Sequence, residues 1–204
     1  MLRRSLLAAL AGLALTGARC SLVASSGGGG GGVGLILVIG SPGTLRFVAP
    51  VCRGLRFRAG ARAGFTTTGG AFTVIVGDRA SFFIGDIDFG STIADRHEIS
   101  VLDLVAGGSL DDPAVINRAR LLYSLDADPD DSQVTLPRRL DAEAKLSNPE
   151  LGPLLAQLEF ADDTAFDAVA PGVVALLTRD YPFTAVLIDR GPARSRLQAE
   201  LARA

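Results

Sequence analysis

The chain has 204 residues, 48% hydrophobic and 21% charged, with 20 basic and 22 acidic side chains and a formal charge of -2. A chain of this size buries about 70% of its unfolded surface without a scaffold of metal or disulfides, and its composition excludes a disordered chain. Two cysteines and one histidine are too few for a disulfide framework or a four-thiolate zinc site, and the lack of a basic excess argues against a nucleic-acid partner.

Residues 1–19 read as an export signal: Arg3 and Arg4 form a basic start, and residues 6–16 form an apolar stretch too short to span a bilayer. Cys20 follows directly, then Ser21 and a glycine run over 27–32. A thiol behind an apolar stretch and ahead of a glycine tether resembles the start of a bacterial lipoprotein, which implies cleavage before Cys20 and a diacylglycerol thioether on its sulfur. Lipoprotein signals have small residues just before the cysteine, and Arg19 departs from that pattern. The alternative is ordinary cleavage after Ala18, with Thr16 and Ala18 as the small pair. In that case Cys20 and Cys52 are free to pair in an oxidising compartment. Cleavage before Cys20 removes three arginines and takes the charge from -2 to -5, so any hold on a membrane comes from acyl chains. The glycine run then serves as a random-coil spacer. Residues 35–39 are apolar between glycines and suit a buried strand.

Residues 44–105 read as short β-prone runs at 45–48, 54–58, 72–76, 81–84 and 87–89, separated by glycine-rich turns. This spacing predicts a small antiparallel sandwich, with Phe57, Phe72, Phe82, Ile84, Ile87 and Phe89 as its core. Cys52 reads as a small buried hydrophobe. Arg56, Arg58 and Arg62 have one parity and form a basic strip suited to an anionic glycan or lipid headgroup, or else a solvated face paired with local carboxylates. Asp86 and Asp88 alternate along one strand face. They read as solvent-facing residues, with paired-carboxylate hydrolysis as the chemical alternative. His97 lies in a polar loop, and Asp103 caps a strand end or anchors a loop.

Residues 106–204 change to helical spacing. Asp112 followed by Pro113 is a cap and first-turn pair, and Val115, Ile116, Ala119, Leu122 and Tyr123 recur on one face. Further helices are predicted near 138–146, 153–158, 171–177 and 192–202, while 184–188 is either a strand or a buried helix end. Strands followed by helices make the fold class α+β. Asp126, Asp128, Asp130 and Asp131 form the stretch most suited to chemistry. Carboxylates at alternate positions after a helix can wrap Ca²⁺, but position six is Asp131 and position twelve Pro137, so this is no EF-hand. The alternative is a solvated, turn-forming cluster.

The order Gly64-Phe-Thr66, Gly70-Ala-Phe72, Gly77-Asp78, Phe82-Phe-Ile84-Gly85-Asp86, then Leu102-Asp103, Asn117-Arg-Ala119 and Leu125-Asp126 resembles the N-terminal module of large, often adhesin-like, bacterial surface lipoproteins. Thr67 stands where that module carries an aspartate. The glycine-punctuated part is also similar to transthyretin-like β-sandwich modules. The resemblance implies an organisation of signal peptide (1–19), lipid-bearing Cys20 with its tether (20–43), transthyretin-like sandwich (44–105) and a helical half packed on it (106–204). It also implies a non-enzymatic binding or structural role in the bacterial cell envelope, with no cofactor and an unidentified protein or glycan ligand. Ser21 after the cysteine points by the same resemblance to the outer membrane. The alternative role is a secreted or periplasmic calcium-dependent binding domain without lipid.

Overall fold

The computed structural model describes residues 40–204. Cys20, the tether and the strand expected at 35–39 lie outside the described residues.

Strand β1 (Pro42–Ala49) lies between β5 (Ala71–Ile75) and β8 (Glu98–Ser100) in a three-stranded sheet. Strands β4 (Arg62–Phe65), β3 (Arg56–Ala59), β6 (Arg79–Ile84) and β7 (Ile87–Ile93) form a four-stranded sheet in that order. Every pairing in this second sheet is antiparallel, as the short runs and glycine turns predict. The wholly antiparallel expectation fails elsewhere. β1 runs parallel to β8, and β2 (Cys52–Arg53) runs parallel to β9 (Val134–Thr135). β9 belongs to the half expected to be helical, so its pairing depends on a long-range return that no local pattern encodes.

Alternation along the strands turns one apolar face of each sheet inward. Phe47 of β1 meets Phe82 of β6 at 4.9 Å between ring centroids. Phe72 of β5 meets Phe82 at 5.3 Å and Phe57 of β3 at 5.1 Å. These rings join the two sheets, and such tilted aromatic pairs add about 0.5–1.5 kcal/mol each beyond their burial.

Helix α1 (Pro113–Ser124) begins where the Asp112 carboxylate accepts the Ala114 amide. It is buried on almost every side because helices pack around it. Asn117 is fully buried and satisfied: its amide donates to the Phe160 carbonyl and Asp163, and its oxygen accepts from Arg120. Short turns α2 (Arg139–Glu143) and α3 (Gly152–Leu155) follow. Helix α4 (Asp163–Leu177) starts eight residues before the predicted position, because Asp162 accepts from the Thr164 and Ala165 amides and Pro171 lies inside the helix rather than at its start. Helix α5 (Arg190–Leu201) closes the chain against α1. Residues 184–188 are neither strand nor helix. Side chains from α1 hold this segment instead: Arg120 Nε donates to the Ile188 carbonyl, and the Ile188 amide donates to Ser124 Oγ.

The fold is mixed α+β. One hydrophobic core runs through both halves, and residues 43–204 form one compact unit.

Candidate functional site

The four aspartates proposed for calcium do not converge. Asp126 turns inward and is 4% exposed. Its Oδ1 accepts the amides of Asp128 (3.1 Å) and Thr135 (2.9 Å), which closes the 126–135 loop and delivers β9 to β2. Its Oδ2 is buried and has no hydrogen-bond partner among the described residues. Asp128, Asp130 and Asp131 are exposed, and Asp131 accepts the Gln133 amide. Among the described residues, no three His, Cys, Asp or Glu side chains are grouped to hold a metal.

Asp86 and Asp88 point to solvent beside buried Ile87 and Phe89. Asp86 accepts from the Leu146 amide and Lys145, which hold its carboxyl below the usual range. Asp88 accepts the Gly90 amide. Asp86 therefore lies in the β6–β7 turn rather than on a strand, and its carboxylate holds that turn to residues 145–146, while Asp88 serves the irregularity within β7. Asp103 anchors a loop, accepting from the Ser100 amide and hydroxyl and from Arg96. His97 is exposed and Cys52 fully buried, so the two side chains occupy different environments.

The basic strip is divided by the β3–β4 hairpin. Ala59 pairs with Arg62 and Arg58 with Ala63. Opposed residues share a face, so Arg62 lies with buried Ala59 and Phe57, while Arg56 and Arg58 lie on the other face. Equal parity along the sequence therefore does not survive the chain reversal. Arg56 pairs with Asp141 at 3.0 Å.

Two adjoining grooves follow the outer edge of β4. One, of about 520 Å³, lies between the sheets and is lined by Thr44, Phe57, Arg62, Phe65, Phe72 and Thr73 among others. The other, of about 430 Å³, includes Arg53, Phe65, Thr68, Thr135 and Arg138 in its wall. They share Phe65 and Thr67. Several devices fix this wall. Thr66 Oγ1 donates to the Cys52 carbonyl (2.6 Å) and accepts the Leu55 amide (3.0 Å). The Gly69 amide donates to Gln133 Oε1 (2.6 Å). Gly54 holds φ at +87°, and a Cβ there would meet the Leu136 carbonyl. The Arg138 guanidinium sits 5.1 Å from the Phe65 ring centroid. No carboxylate among the described residues pairs with Arg53, Arg62 or Arg138.

A second polar cluster lies where β2 meets α1 and α5. Tyr123 donates to Glu200 Oε2 (3.0 Å), Arg196 Nε donates to Glu200 Oε1 (3.1 Å), and the Arg196 guanidinium covers the Tyr123 ring at 4.2 Å. Burial pushes the Cys52 thiol and the Tyr123 hydroxyl far up, and raises Glu200 and Asp126. A protonated, fully enclosed thiol is a poor nucleophile.

Arg138, Thr68, Thr135 and Glu200 carried no signal in the sequence reading. Their neighbourhoods depend on the β2–β9 pairing and on the return of α5, both long-range. Comparison of the chain with protein-family models, with curated proteins and with solved structures finds no match.

Proposed function

We propose that this chain is a bacterial cell-envelope lipoprotein, held at the membrane by acyl chains on Cys20, with a non-enzymatic binding role. The export signal, Cys20 and the glycine tether support the anchor. The observation that carries the binding role is the pair of grooves along β4, whose walls combine ring faces, threonines and guanidinium groups that pair with no carboxylate among the described residues. Such a lining holds and orients a ligand. The stack of a three-stranded on a four-stranded sheet through phenylalanine rings supports the transthyretin-like sandwich as part of the same reading, with the parallel β1–β8 pair as a departure. By resemblance, Ser21 supports the outer membrane as the destination.

The deciding measurement is the intact mass of the mature protein from its native envelope fraction. The expected mass starts at Cys20 and includes a diacylglycerol. A lipid-free mass starting at Arg19 would replace the anchor with ordinary secretion. The second reading, a secreted calcium-dependent domain, draws on the unpartnered Asp126 Oδ2. It requires a melting temperature that rises with excess calcium and falls with chelator.

A further inference from the structure

We infer that the groove of about 430 Å³ beside β4 is a binding site for an acidic saccharide, a carbohydrate chain bearing carboxylates. The inference rests on the reading of this chain as a binding protein and names the ligand class of that site.

The first argument is charge. The chain has more acidic than basic residues, and its arginines are widely neutralised, as in Arg56–Asp141, Arg120–Asp167, Arg139–Glu143 and Arg196–Glu200. Arg53 and Arg138 line the groove and Arg62 lines its neighbour, and neither lining contains an aspartate or glutamate. Cations gathered without counter-charge repel one another and attract an anion. Guanidinium forks suit carboxylates, which they bind through two parallel hydrogen bonds.

The second argument is shape and hydroxyl chemistry. Thr68 and Thr135 both line the groove. Each offers a donor and an acceptor to a hydroxyl-rich ligand, and the Phe65 ring offers an apolar face to sugar C–H groups. A groove of about 430 Å³ continuing into one of about 520 Å³ far exceeds one inorganic anion and suits several linked rings. The site is also preorganised. Arg53 is opposite Thr135 in the β2–β9 pair, and Arg138 rests on Phe65.

The test is calorimetric titration of the intact chain in detergent with hexagalacturonate, with neutral maltohexaose, with inorganic phosphate and with glycerol phosphate, the soluble headgroup of phosphatidylglycerol. The expected result is binding of hexagalacturonate that weakens with salt. The Arg53→Gln/Arg138→Gln double variant weakens it at least about tenfold, while its melting temperature falls by at most about 4 °C, because the fold loses only the exposed Arg138–Phe65 contact. Maltohexaose binds at least about tenfold more weakly. Three outcomes overturn the inference: no binding of hexagalacturonate, equal binding of maltohexaose with no effect of the double variant, or binding of phosphate or glycerol phosphate but not of the saccharide. The anchor is judged separately. Acylated Cys20 with no saccharide bound would sink this inference and leave the lipoprotein reading standing. Hexagalacturonate binding by a chain starting at Arg19 would do the reverse.

Discussion

Asp126 is a buried carboxylate with one oxygen satisfied twice and the other not at all. Burial raises its proton affinity in the folded state, as it does for Glu200. An unfolded aspartate titrates near about 3.9, so the folded chain holds the proton more tightly than the unfolded one. The stabilising effect of that proton is complete below about pH 4 and is lost as pH rises through the higher folded value. Asp126→Asn keeps an oxygen for the two amides and removes the charge. Its stability relative to wild type should therefore improve as pH rises from about 4 to 7, read from urea midpoints at several pH values. A difference that does not change with pH would remove Asp126 as the source. Arg120 illustrates the opposite case, a buried charge that is fully used: it binds Ile188, Asn117 and Asp167 and lies over the Phe166 ring at 5.1 Å. Arg120→Ala strands the Asn117 and Ile188 oxygens and should cost about 2–4 kcal/mol in urea denaturation. A loss under about 1 kcal/mol would mean that water replaces the guanidinium at no cost.

Helix α4 shows how an element can be correct in register and still contain a breaker. Phe166, Val169, Ala170, Val173, Val174 and Leu177 form its buried stripe, and Pro171 is exposed on the far side. Proline has no amide to bond the carbonyl of Asp167, and its ring crowds that carbonyl. Pro171→Ala should raise stability by about 1–3 kcal/mol in thermal or urea unfolding, and an unchanged or lower stability would mean that the packing of α4 needs a bend there. This proline also marks how far the sequence could be read. Asp112-Pro113 and Ala170-Pro171 both offered a helix start. Only the first has a side-chain acceptor in front of it, and the true α4 cap is Asp162. The apolar spacing from Phe166 onward is legible, but a proline at position 171 signals a helix start at least as strongly as a helix interior. In the hairpin only β3 was legible as a strand: β4 falls between the β-prone runs at 54–58 and 72–76, and the Ala59–Arg62 register moves Arg62 to the inner side. The grooves were illegible for a related reason. Thr68 and Arg138 are seventy positions apart in sequence and line one wall only because the two-residue strands β2 and β9 pair.

Across the whole molecule, the sheets and helices share side chains and do not merely touch. Phe160 contacts Phe89 of β7 and Phe166 of α4, each at 5.7 Å between ring centroids. The Arg118 guanidinium of α1 covers Phe160 at 4.6 Å, and its Nε donates to the Phe89 carbonyl. Gly85, with φ at +60°, lets the β6–β7 turn pass against the Ala144 carbonyl, and Asp141 ties the same turn through the Gly85 amide and Arg56. Strand, loop and helix therefore lose packing together when any of these joints fails. A chain joined in this way unfolds as one cooperative unit. Native-state hydrogen exchange should give the amides of Phe82 in β6 and Leu122 in α1 the same opening free energy, equal to the global value. Phe160→Ala removes a ring shared by the two halves and should lower both by the same amount, about 3–5 kcal/mol. If the helix amide weakened while the strand amide kept its protection, the halves would be independent folding units and the shared ring cluster would be a contact between them rather than their common core.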